Sequence, residues 1–115
     1  MLLIEPDPDR RERLAAALRA AGFPVVAVGN LLEIAHWPAD QAVVTVSPYF
    51  TPWWRFVGAS QVVVLADNAK AGIDACDRGA TAWTARDAHP DVLLSLLETL
   101  GIRAAACQPG APSER

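Results

Sequence analysis

The residues of this chain that could do chemistry stand close to the ends of short apolar runs. Glu5 and Asp7 close the first run, Thr45 stands near the end of a central one, and Arg86 follows the last. Carboxylates bind hard cations such as Mg²⁺, and a hydroxyl becomes a nucleophile when a base activates it. A guanidinium pairs with anions. Together these groups suit a metal ion, an anion or a phosphoryl group, if the fold gathers them.

Other kinds of site find little support. His36 and His89 are far apart and have no metal-ligand neighbours in sequence, so we expect no metal. Cys76 and Cys107 form no C-x-x-C pair and are interpreted as buried or incidental thiols of a reducing cytoplasm. The chain has no G-x-G-x-x-G motif, P-loop or nucleophile elbow. We therefore expect no cofactor.

Composition favours a single soluble domain. The chain has 115 residues, 52% of them apolar, and a mean hydropathy of +0.19, which fits a sheet buried on both faces. No apolar run approaches the roughly 18 residues of a membrane span, and no signal peptide is recognisable. The net charge is −3, and the densest basic cluster is Arg10, Arg11 and Arg13, so we expect no nucleic-acid surface. The predicted location is the cytoplasm.

Strands and helices alternate along the chain. Strands are predicted at 2–5, 24–28, 42–46, 61–65 and 80–84. A helix is predicted at 9–21, with Asp7 as N-cap and Pro8 at its first position. Further helices are predicted after Asn30, after Asp67 or Asn68, and at 90–100. Gly22 is expected to end the first helix and Gly79 the third. The residues expected on the inner faces are Leu14, Leu18 and Ala21 in the first helix, Leu31, Leu32, Ile34 and Ala35 in the second, and Ile73 and Cys76 in the third.

This alternation predicts a three-layer α/β/α domain. Five continuously apolar strands fit a flavodoxin-like parallel sheet in the order 2-1-3-4-5. Sites of such sheets lie beyond the carboxyl ends of the strands, where Glu5, Asp7, Thr45, Ala66 and Arg86 should converge. The domain is expected to span 1–103, and the composition of 104–115 indicates a flexible tail or a linker stub.

Two stretches resemble the receiver domains of response regulators, of the chemotaxis type. The opening run 1–9 is similar to the family's first strand and acidic cluster, and 40–45 is similar to its central strand, which ends on the phosphorylated aspartate. The resemblance makes Glu5 the first acidic position and Thr45 the acceptor. The remaining functional positions of the family fall on Pro6 (second acid), Ala66 (switch hydroxyl), Trp83 (switch aromatic) and Arg86 (lysine).

The resemblance therefore implies a degenerate phosphorylation site. Pro6 offers no side-chain oxygen to a metal, and Thr45 cannot form an acyl phosphate. Arg86 keeps a cation but is not equivalent to lysine. Glu5 and Arg86 form either a remnant anion site or a salt bridge that closes the vacated pocket. Trp83 either faces a partner or packs half-buried.

The segment 47–58 is contracted relative to receivers and rich in aromatic residues. Its prolines leave room for a shortened third helix only. The rings either cover the sheet or form an exposed patch that binds a partner or small ligand. Trp53 and Trp54 cannot both face inward on one helical turn, so at least one is expected to be exposed.

These observations favour a phosphorylation-independent signalling module over an enzyme. The resemblance implies a homodimer through the family's fourth helix, fifth strand and fifth helix, with Arg78, Trp83 and Asp87 as interaction residues beside Trp53 and Trp54. Arg86-Asp87-Ala88 resembles the Lys-Asp-Ala of receivers joined to helix-turn-helix domains, so the chain is expected to be the N-terminal part of a transcription regulator. Alternatives are a ligand sensor using Arg86 and the aromatic segment, or a small flavodoxin-like enzyme using Thr45 or Ser47.

Overall fold

The computed structural model describes residues 1–34, 41–49 and 61–102. Within them, five strands form one sheet. The strands are β1 (Leu2–Ile4), β2 (Val26–Val28), β3 (Ala42–Val46), β4 (Gln61–Ala66) and β5 (Ala82–Ala85). The α-helices of this part of the chain are α1 (Pro8–Ala20), α2 (Ala69–Asp77) and α3 (Pro90–Thr99), and the 3-10 helices are Leu31–Glu33 and Ser47–Tyr49.

The sheet has the predicted topology. All neighbouring strands are parallel, in the order β2-β1-β3-β4-β5. Ile4 of β1 lies opposite Thr45 of β3, which in turn lies opposite Val64 of β4. Because all strands run the same way, their carboxyl ends meet at one edge of the sheet, where Glu5 follows β1 and Arg86 follows β5.

Helices cover both faces of the sheet, as the three-layer prediction requires. On one face, Leu14 and Leu18 of α1 and Leu93 and Leu97 of α3 pack on β1, β3 and β4, and α1 also contacts α3. On the other face, Ala75 of α2 joins a second buried cluster with strand residues. The continuously apolar β3 and β4 are therefore buried from both sides, as their sequence predicts.

The start of α1 confirms the expected cap. Asp7 has an extended backbone, and its carboxylate accepts hydrogen bonds from the backbone N–H groups of Asp9 and Arg10, with Pro8 in the first turn. Gly22 follows the helix with a φ of 98° and ends it as predicted. Ala21 is exposed at the C-cap, so its expected inward position is wrong. The helix stops one residue before Ala21, and Ala15 is buried instead.

The inner face of α2 differs from the prediction. Ile73 is 55% exposed and Cys76 is only half-buried, whereas Gly72 and Ala75 are buried. The cause is tertiary: the ring of Trp83 on β5 occupies the space directly beneath Gly72, where a Cβ atom would clash with Trp83 Cδ2. The helix presents its smallest residues to this bulky ring and turns Ile73 outward.

The predicted helix after Asn30 is reduced to the single 3-10 turn Leu31–Glu33. Asn30 does cap it, but the Glu33 carboxylate reaches back to the Gly29 N–H and the Asn30 amide. These local hydrogen bonds stabilise a single turn, and the helix does not continue because Ile34 has an extended backbone. Leu32 is 97% exposed, so its expected inward position is wrong. Ala35 lies outside the described residues.

The strand ends shift by one or two residues from the predictions, while β3 agrees fully. The contracted third-helix segment is described only for Ser47–Tyr49, and its residues 50–58 lie outside the described residues, as does the predicted tail 104–115. Of the helices in the described ranges, none has the length and apolar character needed to cross a bilayer.

The contact between Gly72 and Trp83 predicts an unusual sign for a helix substitution. Exchanging a glycine for alanine inside a helix normally stabilises it by up to about 1 kcal/mol. We expect Gly72→Ala instead to lower the free energy of unfolding by about 1–3 kcal/mol, because the added methyl group overpacks against the indole. Urea denaturation followed by circular dichroism measures the change.

Removing the ring provides the matched control. In a Trp83→Ala background, we expect Gly72→Ala to become neutral or stabilising, because the clash is gone and only the helix propensity remains. A stabilising effect of Gly72→Ala in the unmodified protein would contradict the close packing of α2 on Trp83.

Candidate functional site

The centre of the site is a buried ion pair at the carboxyl edge of the sheet. Glu5 follows β1, and its side chain is fully buried. Arg86 follows β5, and its Nε donates to Glu5 Oε1 at 2.9 Å while its Nη2 donates to Oε2 at 2.5 Å. Both carboxylate oxygens are therefore engaged by one guanidinium in a bidentate arrangement, the strongest form of this contact.

Neighbouring groups hold Arg86 firmly charged. Hydrogen bonding to Glu5 raises the pKa of the Arg86 guanidinium above its ordinary value, partial burial opposes this, and the charges of Glu5 and Asp67 add to the rise. Asp67, just after β4, lies 3.6 Å from Arg86 Nη1 and is largely exposed. The Arg86 backbone N–H also donates to the Ala66 carbonyl at 2.9 Å, which fixes where the side chain starts.

The backbone around Glu5 is held from two further directions. The Asp7 N–H donates to Glu5 Oε2 at 2.9 Å, so Oε2 accepts from two donors. Arg11 of α1 donates from Nη1 to the Glu5 carbonyl at 3.0 Å. Gly29 makes room for this guanidinium, since a Cβ there would stand 2.7 Å from Arg11 Nη1. The first turns of α1 therefore close over the end of β1.

The other expected site positions lie at the same edge but supply no metal ligand or acid. Pro6 is exposed and carries no oxygen on its side chain. Thr45 is fully buried within β3, and its hydroxyl lies 3.5 Å from the carbonyl of Val46, a contact at the limit of a hydrogen bond. Ala66 is fully buried at the end of β4. The predicted convergence thus produces an ion pair, with the hydroxyl facing its own strand.

The candidate interaction residues fall into three groups. Trp83 is half-buried and packs into the cluster beneath α2. Arg78 and Asp87 are exposed, at the end of α2 and after β5, and Arg78 pairs with Asp74 at 3.8 Å. Trp53 and Trp54 lie outside the described residues, as does His36, so the aromatic patch and the pocket expected between it and Arg86 stay predictions.

Three contributors were missed at the sequence level. Asp67 follows β4, and the rule that sites lie beyond strand ends would have included it. In the sequence, Arg11 stands out only as part of a basic cluster, and no local pattern shows that it reaches the end of β1. His89 caps α3 through its Nδ1, which accepts from the Asp91 N–H at 3.1 Å.

The geometry of the site disfavours metal binding at Glu5. Both Glu5 oxygens face positive or N–H donors, so a cation would have to displace Arg86 to reach them. Among residues 1–34, 41–49 and 61–102, no group of three or more histidine, cysteine or acidic side chains is placed to hold a metal ion. Burial, and then the charge of Asp77, raises the pKa of the Cys76 thiol, which disfavours its reactive thiolate form.

The buried ion pair predicts that removing Arg86 alone strongly lowers the free energy of unfolding. Arg86→Met leaves Glu5 buried without its counter-charge, and we expect the free energy of unfolding to fall by about 3–5 kcal/mol. Urea denaturation at neutral pH measures the loss.

The double variant Glu5→Gln with Arg86→Met removes both charges while keeping an oxygen that can accept from the Asp7 N–H. We expect it to be more stable than Arg86→Met alone, because no unpaired charge stays buried. Strictly additive effects of the two substitutions would show that the pair is not coupled.

The sequence matches no protein-family model and no curated protein. Among solved structures, the chain is similar to the solution structure of a response regulator protein from Burkholderia multivorans, with 22% sequence identity and a TM-score of 0.58. The similarity covers 90% of this chain and 95% of the other. The chain therefore has the α/β fold of response-regulator receivers.

Proposed function

We propose that this chain is a receiver-like signalling module that works without phosphorylation and without catalysis of its own. The observation that carries the proposal is the buried pair of Glu5 and Arg86. It stands where the receiver fold would hold its metal-binding acid and its lysine. The receiver-like fold of the solved structure at 22% identity supports a place in signalling.

Physical chemistry supports the loss of phosphoryl transfer. That reaction depends on a metal ion that neutralises the charge of the transferring group. Here the surviving acid is bound by a guanidinium, Pro6 replaces the second acid, and the acceptor position holds the buried Thr45. Ala66 has no hydroxyl that could follow a phosphate. A module of this kind must signal through its surfaces.

The surface proposed for self-association is formed by α2, β5 and α3, the counterparts of the family's fourth helix, fifth strand and fifth helix. It presents exposed apolar side chains, Ile73 at 55% on α2 and Val92 at 47% on α3. Charged residues of both signs surround them, and mixed charges suit a two-fold interface where each acid meets the partner's base. These charged residues are Lys70, Asp74, Asp77, Arg78 and Asp87.

We extend the proposal to a cytoplasmic transcription regulator with this module at its N-terminal side. The support is the run Arg86-Asp87-Ala88 after β5, which resembles the Lys-Asp-Ala of receivers joined to helix-turn-helix domains. In such a regulator, self-association of the module would set the spacing of two output domains on DNA.

Acetyl phosphate tests the absence of phosphorylation. We expect the intact mass of the protein to stay unchanged after incubation with acetyl phosphate and Mg²⁺, because Arg86 binds the surviving acid Glu5, Pro6 offers no side-chain oxygen, and Thr45 is not a carboxylate. Mass spectrometry under denaturing conditions reads the result. A stable gain of one phosphoryl group on most molecules would overturn the proposal.

The matched controls rebuild the family's site. The variant Thr45→Asp alone should remain unphosphorylated, because Pro6 still offers no oxygen to the metal and Arg86 still binds the Glu5 carboxylate. The combined variant Pro6→Asp, Thr45→Asp, Ala66→Thr and Arg86→Lys is the one in which Mg²⁺-dependent phosphorylation is expected, if it folds. Phosphorylation of Thr45→Asp alone would show that Pro6 is not at a metal position.

Analytical ultracentrifugation tests self-association. We expect the unmodified protein to dimerise at micromolar concentrations and Arg78→Glu to weaken the dimer, more strongly at low salt, where screening is weaker. Arg19→Glu makes the same charge change on α1, away from the proposed surface, and serves as the control. A purely monomeric unmodified protein at about 100 µM, far above that affinity scale, refutes the homodimer.

A further inference from the structure

A small cleft lies beside the ion pair, between α1 and the turn that joins β5 to α3. Its volume is about 100 Å³. Arg10 and Arg13 of α1 line one side, and Arg86 and Asp87 line the other. Leu14 and Pro90 supply part of an apolar wall. The space equals about three water molecules at roughly 30 Å³ each, which suits a single small polyatomic ion.

The charged side chains that line this cleft are mainly guanidinium groups. The chain has a net charge of −3, yet three guanidinium groups and one carboxylate line the cleft. Glu5 and Asp67 neutralise Arg86, and Arg10 is 3.9 Å from Asp7, a loose pair at a part-exposed position. Arg13 has no hydrogen bond or ion pair with any of the residues that the structure describes. Described acids therefore pair with Arg10 and Arg86, whereas Arg13 and Asp87 are the charged groups of the lining that have no ion pair among the described residues.

The cleft is also partly preorganised. Arg86 is held by its bidentate bond to Glu5 and is only 18% exposed, so it loses little side-chain freedom on meeting a ligand. A guanidinium has five N–H donors, and the bonds to Glu5 use the Nε and one Nη2 donor. Donors remain on the Nη atoms. Arg10 and Arg13 come from the same helix, one turn apart, so they approach the cleft from one side.

The carboxylate of Asp87 determines which anions the cleft can accept. Like Arg13, its carboxylate makes no hydrogen bond or ion pair among the described residues. A carboxylate opposes a fully deprotonated anion, but it accepts a hydrogen bond from an anion that carries a proton. At neutral pH, phosphate retains at least one proton and sulfate retains none. A lining of three cations and one acceptor therefore favours phosphate.

We propose that this cleft reversibly binds inorganic phosphate or a similarly small protonated oxyanion. Arg10 and Arg13 hold its oxygens against the fixed Arg86, and Asp87 accepts its proton. The site is separate from the degenerate acceptor Thr45, and binding there forms no covalent bond. A negative result with acetyl phosphate under denaturing conditions therefore leaves this proposal untouched, and the converse also holds.

Titration of the folded full chain tests the site. Amide resonances are followed by NMR as sodium phosphate or sodium sulfate replaces sodium chloride at constant ionic strength. We expect saturable shifts around α1 and the β5–α3 turn at millimolar phosphate, the weak end of ordinary affinities. Sulfate should bind several-fold more weakly. Shifts that grow linearly without saturation, or equal affinity for the two anions, overturn the proposal.

Three variants assign the roles. Arg13→Gln should weaken phosphate binding about tenfold, and, because its side chain makes no bond to the described residues, the fold should be unchanged by circular dichroism. Arg19→Gln removes the same charge from the same helix outside the cleft and should leave the affinity unchanged. Asp87→Asn should tighten sulfate binding and abolish the preference for phosphate. Equal losses in Arg13→Gln and Arg19→Gln would show only general electrostatic attraction, and an unchanged preference in Asp87→Asn would remove Asp87 from the site.

Discussion

The structure depends on a carboxylate that is buried at the end of its first strand. Glu5 is fully buried, and an unpaired charge there would cost several kcal/mol of desolvation. Its counter-charge comes from Arg86, 81 residues further along the chain. The pair therefore links the end of the first strand to the end of the last across the sheet. Asp7 and Arg11 add bonds to the same residue, so the start of α1 is fixed by the same requirement.

The fold was predictable where the signal is local. The apolar run of β3, the Asp7 cap and the Gly22 stop act through their own neighbours in sequence, and each is found as expected. The inner face of α2 was not predictable, because it is decided by Trp83 from a strand that comes later in the chain. Hydrophobic periodicity favours burying Ile73, yet the indole leaves space only for Gly72. Tertiary packing overrides a short pattern of this kind.

The sequence predicts where the site lies, but it does not decide between an open anion site and a closed salt bridge. The rule that strand ends converge brought Glu5, Ala66 and Arg86 to one edge, and both an open anion site and a closed salt bridge agreed with the residue types. The choice depends on whether the guanidinium reaches both carboxylate oxygens, a matter of ångströms that sequence does not encode locally. The contact of the Thr45 hydroxyl with the Val46 carbonyl, at 3.5 Å, is likewise a detail of side-chain geometry.

Arg86 has two consequences that follow from one geometry. By satisfying Glu5 it removes the acid that a metal would need, and by being fixed there it forms a rigid wall of the cleft beside α1. A ligand can shift an equilibrium between two states only by binding them with different affinity. The cleft includes Pro90, the first residue of α3, and α3 belongs to the surface proposed for self-association. The phosphate proposed for the cleft would therefore lie beside the start of α3, and it would change association only by binding the monomer and the dimer with different affinity.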